Sequence, residues 1–478
     1  MGGLTEFPDT AGARNETQPR SDASMTTPLH RTAVRKGRHR PSMAIVLSLG
    51  AGLMLGACGD LLDVDLPGSL TEEDLLTPEM SRAMTLSAVA DFECAYSEFA
   101  ATIGGVEDAY WETTGWFPKA WSEYRVTEQT GAVNTTPCGN SDVAAGFFVS
   151  FQSARFQAEQ AYEAMSGFTD EQVANREQLL ATAATYAGFT YQVFGEHWCE
   201  MAVDVGDRLT PQETLAIAEP WFDRALGHIN TTGDFGNATT ESARQMALLG
   251  RARVRFARGD LTGAAADAAL IEPGFVANVT RSAGVRKRWN QVYHHLTVSK
   301  FMSIADQVEF NGELVSVGFR DLTITPDGQA TVNDGVPDPR VPVENTGLPA
   351  SDGVTTHWIQ TKYTSYADPI PLVRWAEAQL ILAEIEGGQS AVDRINALRD
   401  IHGLPHFQGG TAQEIRDAII EERRREFFYE GRHHADKLRY DLWFPRGQGF
   451  NHKGIAYGDV TCLPLSDQER ILNPNLNS

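Results

Sequence analysis

Apolar residues recur at helical spacing in two separate stretches of this chain, and the pattern lapses between them. From about residue 80 to 275 the positions read mostly as helix. Thr169 and Gln172 stand at capping-box spacing ahead of a long candidate helix from Asn175 to Trp198. Thr210-Pro211-Gln212-Glu213 supplies a cap, a proline at the first helical position and an acid in the first turn. Ala218, Phe222, Ala225 and Ile229 then fall on one stripe, with Pro220 inside it, where a kink or break is expected. Glu241 to Glu272 predicts a helical hairpin. Ala247, Ala252 and Phe256 lie on its first arm, Gly259-Asp260 makes the turn, and Ala264, Ala265 and Ala268 lie on the second.

From about 276 to 370 the helical period vanishes. Turn residues crowd together, as in Thr325-Pro326-Asp327-Gly328 and Asp334-Gly335-Val336-Pro337-Asp338-Pro339, which predicts loops with short strands at most. A long segment of that kind is often functional. Helices resume near Leu372, where Val373, Ala376, Leu380 and Ala383 form a stripe ending at Gly387-Gly388. Ser390 is placed to cap the next helix, which carries Val392, Ile395 and Leu398 and ends at Gly403-Leu404-Pro405. Thr411 and Glu414 form another capping box, opening a helix with Ile415, Ala418 and Ile419 that stops at Gly431. The tail from 440 to 478 is again loop-rich. The helical-repeat parts are thus about 150–275 and 372–431, the loop-rich parts about 276–370 and 440–478. The small residues of the 241–272 hairpin resemble, in pattern only, tetratricopeptide-type repeats.

The first part of the chain is of another kind. A basic approach (Arg31, Arg35, Lys36, Arg38, Arg40) leads into an apolar run from Met43 to Leu55, then Gly56-Ala57-Cys58. That is the layout of a secretory signal. The cysteine after small residues resembles a bacterial lipobox, which implies cleavage before Cys58 and acylation of that residue. The apolar run is short of the roughly 20 residues a spanning helix needs. Residues 1–57 are therefore expected to be leader and lipoprotein signal peptide, 58–75 an acidic tether, and 76–478 one folded domain. The formal net charge is −23, and the part after residue 57 is more acidic still. Such a surface repels nucleic acid and anionic headgroups, so membrane contact is expected through the lipid alone. Four cysteines remain beyond Cys58, namely Cys94, Cys138, Cys199 and Cys462; in an exported chain they predict two disulfides, in any of three pairings.

Several C-terminal segments resemble signatures of the SusD/RagB lipoproteins. They are Arg374 to Glu384 (RWAEAQLILAE), Ile395 to Arg399 (INALR), and above all Glu422 to Arg432 (ERRREFFYEGR) followed by Asp436-Lys437-Leu438-Arg439. Cys462 to Leu465, Glu469 and Asn473 to Leu476 resemble the family's ending, and Asp338-Pro339-Arg340 and Lys362-Tyr363 resemble its midchain signatures. The resemblance is weakest from 80 to 150. It implies a mainly α fold, with tetratricopeptide-like helical hairpins packed against a loop-rich irregular half. It also implies a lipid-anchored protein at the outer-membrane surface that binds a nutrient, a glycan or in some relatives a peptide. The partner would be a TonB-dependent, SusC-like transporter. No enzyme chemistry and no cofactor are implied.

The charged run from Glu422 to Arg439 invites an active-site reading, but its spacing favours structure. Glu421 and Arg425 are at i and i+4, and Phe427 and Phe428 interrupt the charges as core anchors. For ligand binding the stronger candidates are aromatic, because flat amphipathic rings suit the apolar faces and hydroxyl rims of sugars. Tyr110, Trp111, Trp116, Trp121 and Tyr124 cluster beside Gly115 and Pro118, with Trp289, Tyr293 and Trp358 as midchain counterparts. Core packing is the competing reading for each ring. His294-His295 and His433-His434 point apart as neighbours, and Gly403 and Pro405 break the helix that would join His402 to His406, so no metal site is expected. HExxH, GxSxG and phosphate-loop motifs are absent. Two other readings stay open: a lipid-anchored scaffold for envelope assembly without a small ligand, and a lipid-anchored glycoside hydrolase, whose carboxylates need only be close in space.

Overall fold

The structure is a computed structural model. The chain divides into a leading unit, Met1–Ser69, and a main unit, Leu70–Ser478. Residues 72–114, 147–465 and 467–476 are described below. Cys58 and the lipobox, Trp116, Trp121, Tyr124 and Cys138 lie outside them.

The main unit is mainly α. Its helices are α1 (Ser81–Thr102), α2 (Phe147–Ser166), α3 (Arg176–His197), α4 (Pro211–Thr232), α5 (Ala243–Arg258) and α6 (Leu261–Ala268), then α7 (Trp375–Glu386), α8 (Gly388–His402), α9 (Ala412–Glu426) and α10 (His433–Arg439). Consecutive members of the first group pack on one another, as tetratricopeptide-like hairpins do, and α6 meets α7. Between the two groups the chain forms small sheets of two or three short antiparallel strands among the described residues. One of them ties the halves together: Ile370–Arg374 pairs with Val276–Val279 directly before α7. A single large apolar cluster runs from Ala88 to Leu476 and takes residues from both the helical and the loop-rich half.

Local signals explain most helix ends. Thr210 and Thr411 each form the full reciprocal capping box with Glu213 and Glu414. Gly259 caps α5 at φ +88°, and Asp260 then caps α6. Five expectations are corrected. The Thr169 box closes a separate turn, since Gln172 accepts from the Thr169 amide while α3 starts after Asn175 at φ +56°. Pro220 does not break α4, because it lies on the exposed side, where water can hydrate the freed carbonyl. Val373 belongs to the strand before α7, whose pairing with Ala277 outcompetes the helical stripe. Ser390 lies inside α8, which begins at Gly388, and α9 ends at Glu426 with turns leading on to Gly431.

The charged run proves to be buried. Glu422 is wholly inaccessible, and Arg399 and Arg425 are 1% exposed. Arg399 holds one Glu422 oxygen at 2.6 and 2.9 Å, and Arg340 holds the other. Arg340 also grips Asp338, while Arg425 bonds Glu421 at 2.7 Å and Asp338 at 3.2 Å. Arg425 further donates to the Thr323 and Thr331 carbonyls, and Arg399 to those of Gly328 and Pro405. The run is therefore a set of brackets between α9 and the loops of the irregular half. Gly328, at φ +83°, allows that approach: a β-carbon there would sit 2.0 Å from the His406 carbonyl oxygen.

Candidate functional site

Of the described candidate aromatics, Tyr110 is core packing, 1% exposed with its hydroxyl donating to the Thr102 carbonyl at 2.9 Å, and the others fall into two groups. Trp289 opens the first. A helical turn, Gln291–Tyr293, follows it and passes into a π-helical turn, His294–Val298, while the loop at 363–369 brings in Tyr366. Trp289 and Tyr366 stack at 4.2 Å between centroids with planes 27° apart, and Tyr293 meets Tyr366 edge-on at 5.2 Å. All three rings are half-buried.

Polar bonds hold these rings in place. The Trp289 indole N–H donates to the Ala283 carbonyl at 3.2 Å, and the Asn290 amide donates to the Tyr366 carbonyl at 2.9 Å. Asp368 pins the Tyr366 loop by accepting from the Thr364 and Ser365 amides at 2.6 and 3.0 Å. Burial raises the Asp368 pKa, but these amide and hydroxyl bonds prevail and hold it below the usual carboxylate range. Burial, with Tyr293 nearby, raises the Tyr366 phenol, so it stays a neutral donor. The arrangement offers apolar ring faces and hydroxyl edges on a fixed frame, which is the chemistry of carbohydrate stacking.

Trp111 and Trp358 form the second group. The strand Tyr110–Glu112 pairs antiparallel with Met302–Ile304, setting Trp111 opposite Ser303. The Ser303 hydroxyl accepts from the Trp358 amide at 2.9 Å and donates to the Thr356 carbonyl at 2.7 Å. The Arg320 guanidinium lies 4.6 Å from the Trp111 ring and 4.9 Å from the Trp358 ring. His452 stacks on Trp111 at 5.1 Å. Both indoles are thus engaged by protein groups, a cation–π clamp of the kind worth about 0.5–2 kcal/mol. Arg320 Nε donates to the Ile304 carbonyl at 2.7 Å, and burial lowers the guanidinium pKa against the pull of Asp306 and Asp321.

Tyr366, Arg320 and His452 were not singled out from the sequence. Tyr366 sits in a turn-rich stretch, Thr364-Ser365-Tyr366-Ala367-Asp368-Pro369, that announces a loop but not a ring partner far up the chain. Among the cysteines, Cys199 and Cys462 are bonded to each other, and Cys94 is also in a disulfide. Among the described residues no group of three His, Cys, Asp or Glu is arranged to hold a metal, and no helix is long and apolar enough to cross a membrane.

The architecture defines the class: a helical-repeat protein of the SusD-like fold. The model described as SusD family matches residues 325–471. Solved structures share the fold along most of the chain. A SusD-like carbohydrate binding protein from Bacteroides vulgatus matches with a TM-score of 0.60 at 13% identity, over 84% of this chain and 97% of its own. A SusD homolog from Bacteroides thetaiotaomicron matches at 0.57 and 12%, over 84% and 97%. Surface glycan-binding protein A from Bacteroides uniformis matches at 0.53 and 15%, over 83% and 98%. No curated protein sequence matches the chain. The C-terminal region thus matches the SusD family, and the solved structures share the fold along most of the chain.

Proposed function

We propose that this chain is a surface-exposed outer-membrane lipoprotein that binds a glycan and delivers it to a TonB-dependent, SusC-like transporter. The observation that carries the binding step is the stacked pair Trp289–Tyr366 with Tyr293 at its edge, half-exposed on the loop-rich half. The solved relatives described as carbohydrate-binding or glycan-binding lend the ligand class. Cys58, at the end of the signal layout, lends the lipid anchor, and the SusD-family region lends the transporter. The chain acts by noncovalent binding in this reading, with no cofactor and no catalytic residue.

A glycan array followed by calorimetry tests it. One glycan class should bind, and Tyr366→Ala should weaken that binding about tenfold or more, the equivalent of about 1.4 kcal/mol. Trp358→Ala should do less, since that ring is already engaged by Arg320. Binding lost in Trp358→Ala and kept in Tyr366→Ala would move the site to the second group. Silence across a broad array would favour the scaffold. Extraction from the native membrane should bring down a TonB-dependent barrel, and its absence would sink the delivery step.

A further inference from the structure

A cavity of about 320 Å³ lies in the helical half, on elements other than those that carry the aromatic groups. Its walls are apolar, with Trp198 after α3, Leu215 on α4, Phe256 on α5 and Ile381 on α7. Its charged lining is Arg253, Arg423, Arg432 and Arg439 with Glu196, Glu377 and Asp436; Arg439 is paired at 2.7 Å with Glu384, which is not in the lining. The disulfide Cys199–Cys462 borders it, together with Pro211 and Gln212 at the start of α4. Ligand pockets commonly begin at about 300 Å³ and combine apolar walls with a few fixed polar groups.

Its bonding is incomplete. Arg253 grips Glu377 through two bonds of 2.6 Å, and Arg432 Nη2 adds a third at 2.7 Å. Arg423 Nε bonds both Asp436 oxygens at 2.9 and 3.0 Å. Two donors are left over: Arg423 Nη1 and Arg432 Nε are buried and have no hydrogen-bond partner. Both residues are 4% exposed, and both guanidiniums lie against the Phe427 ring, at 5.3 and 5.6 Å, which limits their freedom to turn elsewhere. A buried donor without an acceptor costs about 1–3 kcal/mol, and more when charged.

The charge balance points the same way. With Arg439 paired to Glu384, the other three guanidiniums face two carboxylates that bond them. The third carboxylate, Glu196, makes no ion pair among the described residues and accepts from Gln192 at 3.2 Å. Burial pushes its pKa up to about 7, so much of it is neutral near that pH. The cavity is left with an excess of positive charge. Acidic neighbours disfavour a dianion, and the apolar walls ask for a body beyond the anionic group.

We propose that this cavity is a second small-molecule site, taking a monocarboxylate with a ring-sized body whose carboxylate is held by Arg423 and Arg432. It does not rest on the glycan reading, because none of its groups belongs to the Trp289 or Trp111 clusters.

Calorimetry on the purified full-length chain tests it with D-glucuronate and benzoate, against D-glucose and inorganic phosphate. Saturable binding of at least one carboxylate is expected, with none of glucose. Arg432→Gln should weaken it about tenfold or more. Because that variant also loosens Glu377, Ala257→Phe is the companion: Ala257 is a half-buried lining residue of α5 that holds none of the charged groups. It should block binding while the melting temperature stays near that of the parent, and Tyr366→Ala should leave binding intact. No saturable binding of either carboxylate at millimolar concentration overturns the proposal. So does binding that survives Ala257→Phe, or phosphate binding as tight as that of the carboxylates.

Discussion

Glu422 is the buried carboxylate by which α9 holds Arg399 of α8 and Arg340 of the loop-rich half. Both its oxygens are taken, by Arg340 and by Arg399, and no water reaches it. Deleting its carboxylate leaves two guanidiniums underpaired in a medium that cannot solvate them. Glu422→Ala is expected to lower unfolding stability by about 3–5 kcal/mol. The exposed pair Arg446–Asp441, at 2.8 Å, is the internal comparison: Arg446→Ala should change stability by no more than about 0.5 kcal/mol. Urea unfolding of the two variants separates the cases. Equal, small effects would mean that the Glu422 partners relax to other acceptors, and that the run owes its place to something other than bracing the loops.

At the scale of elements, spacing between helices is set by side chains that are absent. Phe222 of α4 fits between Gly188 of α3 and Gly250 of α5. A β-carbon at position 250 would lie 2.4 Å from the Phe222 ring and 3.0 Å from that of Phe189. Alanine gains about 1 kcal/mol over glycine in an open helix. Here the clash costs about 1–3 kcal/mol, because Phe222 also has Gly188 behind it and cannot retreat. Gly250→Ala should therefore lower the melting temperature, and a rise would show that α4 and α5 separate easily. Such a contact is illegible in one sequence, since nothing local marks the ring that fills the gap. Capping boxes at Thr210 and Thr411 were legible because donor and acceptor are three residues apart. The Thr169 box had the same spacing and capped a different turn, because Asn175 at φ +56° intervenes before α3. In the candidate site, Trp289 and Tyr293 stood out as rings in a loop-rich stretch. That Tyr366 completes the stack, and that Arg320 occupies Trp358, depends on chain segments that meet only after folding.

For the whole molecule the question is whether the helical and loop-rich halves stand or fall together. Three observations join them. One apolar cluster takes residues from both. The strand pair Val276–Val279 with Ile370–Arg374 closes the irregular half back onto the start of α7. The disulfide Cys199–Cys462 then fastens the residue after Trp198 to the C-terminal tail across 263 positions, beside the bridge from Trp198 to Leu463. A crosslink stabilises chiefly by restricting the unfolded chain, and a loop of this length belongs at the upper end of the usual range, about 2–5 kcal/mol. Replacing both cysteines with serine should therefore lower the melting temperature. The shared core predicts more than that loss: the transition should stay single, by calorimetry and by near-ultraviolet dichroism alike, because no apolar boundary divides the halves. If removal of the disulfide instead splits unfolding into two steps, the covalent link rather than the common core is what makes this fold cooperative. The loop-rich half, with its short strands, would then be the part that opens first.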